Sequence, residues 1–296
     1  MNEYIRHGGT RAGNVAITIT LVVIALIMVL PFAHELAKSF SFPVRVNAGE
    51  VSFFPVQPTL GNYQLYFHRS FAFLWRSFGN TIYLTVVGTL WSVFFTSIVA
   101  FPLSRPRSEF VIGPMMLTLV VFSIIFSPPI IPYFLAIRAY GLMNSLWAII
   151  LAHTVMPFHL ILVMNHYRSI PEEIFDSCRM DGANELRVVL QIVLPLSKPV
   201  IATIMVFTAV IMWNMLFHAL IFIRDRDLLP LQPIIRSIMQ ETLSVGDQQI
   251  TTRNPFFRTA SSYSALVMLT TIPIVIVYPL LQRYFIKGAL LGAVKA

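Results

Sequence analysis

Asp225-Arg226-Asp227 sets two carboxylates two residues apart, a spacing at which they can share a divalent cation, as in metal-dependent glycosyl transfer. Arg224 and Arg226 neutralise much of that charge, and a solvated loop is the plainer reading. His153, His159, His166 and His218 lie in or beside long apolar runs, where an ionisable group is a candidate for a proton path. A neutral imidazole packed between helices is the alternative. His34-Glu35 lacks the second histidine of a His-Glu-x-x-His helix, and the lone Cys178 excludes an internal disulfide, so no metal site is expected. Trp213-Asn214 places a flat aromatic face beside an amide in an otherwise apolar run. Sugars bind by stacking and by hydrogen bonds to amides, so this pair is a candidate for lining a pathway. Alternatively, Asn214 bonds a neighbouring helix and Trp213 packs. No phosphate-binding glycine run and no Gly-x-Ser occur, so neither nucleotide hydrolysis nor serine chemistry is expected of this chain.

The elements that must position these residues are membrane helices. Of 296 residues, 56% are hydrophobic and 11% charged, against roughly 25% charged in a soluble domain. Six windows hold no Asp, Glu, Lys or Arg: 12–34, 77–104, 110–137, 139–167, 199–223 and 259–282. A bilayer core needs about 20 apolar residues, so each window accommodates one span. The reading is an all-α membrane protein with spans at about 14–34, 77–104, 110–137, 145–167, 199–223 and 262–282. A connection at 168–198 and a tail at 283–296 complete a single domain over 1–296. Stretch 51–68 is also free of charge, but Pro55, Pro58 and Gly61 would leave its backbone unsatisfied in lipid, and it reads as a loop. The run from Val15 to Phe32 is too long for a signal peptide and lacks a cleavage site. The net charge of +8 fits loop Lys and Arg facing anionic lipid better than nucleic acid. The short outer connection holds only Arg138, which favours cytoplasmic termini.

Residues 168–199 are too regular for a slack loop. Ser169-Ile-Pro-Glu172 spells a capping box, and Ile174, Phe175 and Cys178 give the helix after it an apolar face. Gly182 after Asp181 can break that helix. A second helix from Ala183 to Leu194 would then lead up to Pro195, and Pro199 would open the fifth span. Helix, bend and helix make a protruding knob, an apolar ridge with a charged rim that suits a groove on a partner.

This stretch resembles the signature loop of ABC importer permeases, Glu-Ala-Ala, three residues, Gly, nine residues, Ile-x-Leu-Pro. Asp176-Ser177-Cys178 stands at the first triplet, Gly182 at the glycine, and Ile192-Val193-Leu194-Pro195 at the end. Asp181-Gly182-Ala183 matches the triplet common among sugar-importing members. The tail 278–296 is similar to those of permeases for complex sugars. The resemblance implies an inner-membrane subunit paired with a second, homologous permease as a heterodimer, with two cytoplasmic ATPases that bind the ATP and an external solute-binding protein. The cargo would be a sugar or oligosaccharide, acidic fragments such as alginate or pectin included. Asp176, Ser177, Cys178, Asp181, Gly182, Ala183, Ile192, Leu194 and Pro195 would couple to the ATPases. In the tail, Gly288 would end the last helix, with Lys287 and Lys295 free for an ATPase surface. No cofactor of its own is implied. A proton-coupled secondary transporter built on the histidines is the alternative, and a membrane glycosyltransferase ranks below it.

Overall fold

Charge-poor sequence and isolated prolines dictate helices interrupted at specific points, and among the described residues every element is helical. The computed structural model describes residues 11–68, 72–126, 129–245, 256 and 259–293, with side chains over 13–68, 72–126, 129–242, 256 and 259–276. Helix α1 spans Arg11–Ser39, followed by the short α2 (Pro43–Asn47) and α3 (Gly61–Phe67). Then come α4 (Ala72–Ser104), α5 (Gly113–Ile125), α6 (Ile130–Ala139), α7 (Leu146–Ala152), α8 (Pro157–Arg168) and α9 (Glu172–Met180). After these follow α10 (Glu185–Leu196), α11 (Lys198–Trp213), α12 (Phe217–Phe222), α13 (Leu231–Val245) and α14 (Ala260–Ala293). Among the described residues there is no strand.

Among the described residues, two helices are long and apolar enough to cross a membrane alone. Helix α1, 29 residues and about 44 Å at a 1.5 Å rise, is exposed along its apolar length. Its Thr18 and Thr20 hydroxyls donate to the carbonyls of Asn14 and Ala16, so both are satisfied within the helix. Helix α4, 33 residues, is half-buried and central to its unit, packing on α11, α8 and α7.

Three of the charge-free windows hold two helices each. The helix of window 110–137 stops at Ile125 and resumes at Ile130, after Pro129. In window 139–167 α7 and α8 meet at a 45° bend, with Pro157 opening α8 where its missing N–H is no loss. Window 199–223 breaks after Trp213.

The chain divides into two compact units, residues 1–71 with 237–272 and residues 72–236 with 273–296. In the first, stretch 51–68 is not all loop. Asn62, Leu65 and Tyr66 fall on one buried face, and that periodicity forms α3 despite the prolines before it. The Asn62 amide donates to the carbonyls of Ser39 (2.8 Å) and Ser41 (2.9 Å) and accepts from Ser261 (3.0 Å). Tyr66 donates to the Ser262 carbonyl at 2.8 Å, and its burial pushes the phenol pKa up.

In the second unit the buried face of α4 carries small residues, Ser77, Thr81, Gly88, Thr89, Ser92, Thr96 and Ala100, which let α11 approach. A Cβ at Gly88 would lie 3.1 Å from the Met212 sulfur. Gly88→Ala is expected to be near neutral, because methionine is flexible. Gly88→Leu should cost about 1–3 kcal/mol as overpacking, read as a lower unfolding temperature in detergent and recovered in part by Met212→Ala.

Candidate functional site

The candidate site is the helix, bend and helix of residues 172–196 and the short connection 105–112 against which it rests. Helix α9 carries Glu172 and Glu173 in its first turn and Arg179 in its last, an order that suits the helix dipole. Phe175 is its buried residue, within an apolar cluster that includes Phe101, Leu160, Val163, Tyr167 and Val193. Cys178 and Ala183 pack on the same cluster from the rim. The capping box expected at Ser169 does not form. Ser169 ends α8, its hydroxyl donating back to the His166 carbonyl at 2.7 Å, and the extended Pro171 precedes α9 without a side-chain cap.

Gly182 closes α9 with φ +71°, in the left-handed region. The Ala183 amide donates to the Cys178 carbonyl and the Gly182 amide to that of Arg179, both at 3.0 Å, the two bonds of a Schellman motif. A Cβ on Gly182 would meet nothing within 4 Å, so the backbone angle alone demands glycine there. Asn184 caps the next helix by accepting from the Arg187 amide at 2.8 Å. Asn184→Ala should therefore lower stability by about 1 kcal/mol in detergent unfolding.

Helix α10 does not stop at Pro195. A π-helical turn at Val189–Val193 widens the helix, which continues through Leu194-Pro195-Leu196 and breaks only at Ser197, where α11 leaves at 83°. Proline removes a donor and crowds the carbonyl four residues earlier, and a wider turn relieves both. Ile192 and Leu194 are half-buried, and Pro195 is exposed.

Charge ties the knob to the connection after α4. The Arg105 side chain is 7% exposed and lies 3.7 Å over the Phe175 ring, 5.2 Å from that of Phe101, with Glu172 at 3.6 Å. Burial lowers its pKa, and Glu172 and Glu109 act in the opposite direction. Arg179 pairs with Glu109 at 2.7 Å, Asp176 at 3.3 Å and Glu172 at 3.9 Å, and its pKa is raised, chiefly by the hydrogen bond to Glu109. Asp176 is thus exposed and shared with its own helix. Ser177 donates to the Glu173 carbonyl at 2.8 Å, and Asp181 is the exposed C-cap of α9. Between these charges the tip is apolar: Met180 is 88% exposed and Leu186 58%. Reading along the chain gave Phe175 to the apolar face of α9 but missed Arg179 and, on the connection, Arg105 and Glu109. Their signal was the unusual charge density of Arg105-Pro-Arg-Ser-Glu109 between two apolar windows.

The other candidates are dispersed. Trp213 is 9% exposed and meets Phe78 edge to face at 5.9 Å, so its ring serves packing. Asn214 is exposed at the break after α11, donating to the Val210 carbonyl at 2.9 Å and accepting from Gln232 at 3.4 Å. Asp225 caps the short turn Arg226–Leu228, accepting from the Asp227 amide, and Asp227 pairs with Arg76 at 2.9 Å. Among the described residues no cluster of three metal-ligating side chains occurs. His153 and His218 lie edge to face at 5.0 Å, with Tyr133 beside His218 at 5.4 Å, while His159 contacts Thr208 at 3.3 Å. Gly288 does not end the last helix, which continues to Ala293. A glycine inside a helix costs only about 1 kcal/mol, and Ala289, Leu290 and Leu291 follow it. The side chain of Lys287 and all of Lys295 lie outside the described residues.

A family profile described as the binding-protein-dependent transport system inner membrane component matches residues 92–290, the knob included. The chain belongs to this family. It is an all-helical inner-membrane permease subunit of an ABC importer. Protein LplC of Bacillus subtilis is 38% identical over the full length of both chains. The polygalacturonan/rhamnogalacturonan transport system permease protein YtcP of the same organism is 37% identical over 93% of this permease and 95% of its own length. The fold is similar to that of a solved bacterial ABC transporter involved in the import of the acidic polysaccharide alginate. The TM-score there is 0.82, at 28% identity over 93% of this chain and 97% of that one.

Proposed function

We propose that this permease carries an acidic oligosaccharide into the cytoplasm, delivered by an external binding protein and driven by two ATPases that seat on the knob of residues 172–196. The observation that carries the reading is the exposed apolar tip, Met180 and Leu186, on a knob pinned to the body through Arg105 and Phe175. A rigid apolar ridge with a charged rim suits a groove on a partner protein. The chain crosses the membrane six times, α5 with α6, α7 with α8, and α11 with α12 each making one broken crossing. Broken helices are common where transport pathways run. The partner permease is a homologous chain rather than an identical copy. ATP binding and hydrolysis belong to the ATPases, and this subunit supplies neither catalysis nor a cofactor.

A relative named for polygalacturonan and rhamnogalacturonan transport, and a solved neighbour involved in the import of alginate, support a uronic-acid cargo. Asn214, exposed at a helix break beside Gln232, offers amide hydrogen bonds to a sugar, while the packed Trp213 supports the break. The test is uptake by the assembled complex in proteoliposomes, using oligogalacturonate and neutral maltooligosaccharide. Oligogalacturonate uptake should exceed that of the neutral sugar and require ATP inside the vesicles. Asn214→Ala should reduce uptake about tenfold, the scale of one lost hydrogen bond to a charged group, with assembly unchanged. Uptake driven by a proton gradient without ATP would favour the histidine-based alternative.

A further inference from the structure

A cavity of about 390 Å³ opens between the connection after α4, the first turn of α5 and the start of α9. Arg105, Arg107 and Arg168 line it, with Glu172 the carboxylate among its lining residues. Glu172 lies between Arg105, at 3.6 Å, and Arg179, at 3.9 Å, so its charge is already shared. Arg168 donates to the Leu103 carbonyl at 3.2 Å, and among the described residues neither it nor Arg107 has an ion-pair partner. The Arg105 side chain is more than nine-tenths buried, and its Nη1 faces Glu172 only across a long 3.6 Å ion pair, with no hydrogen bond made. A buried guanidinium donor that makes no hydrogen bond carries a cost that a bound anion at closer range removes. Gly113 and Pro114, at the positive end of the α5 dipole, add to the field in the cavity. Leu117 and Ile170 make part of the wall apolar, and Ile112, Met115 and Met116, at and just before the start of α5, are exposed apolar side chains. The site therefore offers forked donors for a phosphate next to an apolar surface for acyl chains.

We propose that this cavity binds the phosphate of an anionic lipid headgroup, gripped by Arg105, Arg107 and Arg168, at the foot of the knob. The proposal holds whatever the permease carries, since it concerns only charge and shape at the membrane surface. Occupancy would link lipid composition to the set of the knob, because Arg105 also holds Phe175 and Glu172.

Native mass spectrometry of the full-length permease, purified in detergent with equal phosphatidylglycerol and phosphatidylcholine of matched acyl chains, tests this. The wild type should retain phosphatidylglycerol about thirtyfold over phosphatidylcholine, as expected for two arginines without ion-pair partners near an anionic headgroup. Arg105 is part of the packing, so the decisive variant is Arg107→Gln with Arg168→Gln, which should lose the preference. Arg138→Gln, on α6 and outside the cavity, should keep it. Equal retention of the two lipids by the wild type, or unchanged preference in the double variant, overturns the proposal. Displacement of phosphatidylglycerol by inorganic phosphate, but not by chloride at matched ionic strength, reassigns the site to free phosphate and overturns the lipid assignment.

Discussion

Gly182→Leu is expected to abolish coupled transport while leaving the permease inserted and paired. Gly182 sits at φ +71°, where the Ala183 and Gly182 amides close the Schellman motif onto Cys178 and Arg179. Any side chain with a branched or bulky Cβ substituent resists that angle, at about 1 kcal/mol or more. Because nothing lies within 4 Å of a Cβ built there, the damage cannot come from a clash inside the chain. It comes from the backbone, which would relax the bend between α9 and α10, and from bulk at a tip that must enter a groove. Gly182→Asn separates the two causes, since asparagine tolerates the left-handed region. It should recover the unfolding temperature and much of the transport that Gly182→Leu loses. The measurements are uptake and substrate-stimulated ATP hydrolysis by the purified complex in proteoliposomes. Normal coupled uptake in Gly182→Leu would remove the coupling role from the knob.

The second large effect belongs to Arg105→Gln. The substitution removes a guanidinium stacked 3.7 Å over Phe175 and its pairing with Glu172 across the base of the knob. A desolvated cation–π contact is worth about 2 kcal/mol, so the knob should loosen by that order. Arg105→Lys should recover little, because a compact ammonium neither stacks as a plane nor reaches two partners. The expected pattern is a lower unfolding temperature in detergent together with ATP hydrolysis no longer stimulated by substrate. A double-mutant cycle with Phe175→Ala should show coupling of about 1–2 kcal/mol in unfolding free energy. Additive losses would mean that Arg105 and Phe175 stabilise the permease separately and that the latch does not exist.

Local signals proved legible wherever their physics is short-ranged. The absence of charge over six windows is a property of each window alone, and it placed the apolar helices, although not the breaks at His153–Met156 and Asn214–Leu216. Gly182 was readable because a helix reversal needs a residue that tolerates positive φ, and one glycine stands where the reversal must occur. The capping box at Ser169 misled, since the same hydroxyl serves equally well to end α8, and the sequence alone does not say which helix claims it. Gly288 misled for a related reason: a mild intrinsic cost does not stop a helix whose following residues favour it.

What the sequence by itself determined is therefore the class of element, the family and the bend of the knob. Only the tertiary structure decided that Arg105 covers Phe175, 70 residues away, that Arg179 draws Glu109, Asp176 and Glu172 together, and that Trp213 is spent on packing against Phe78. Spacing along a helix reports which residues share a face, whereas a pairing between helices depends on which faces meet. That choice is made by the close approach of whole surfaces, here the small-residue face of α4 against α11 and the apolar cluster beneath α9, and no short stretch of sequence contains both partners.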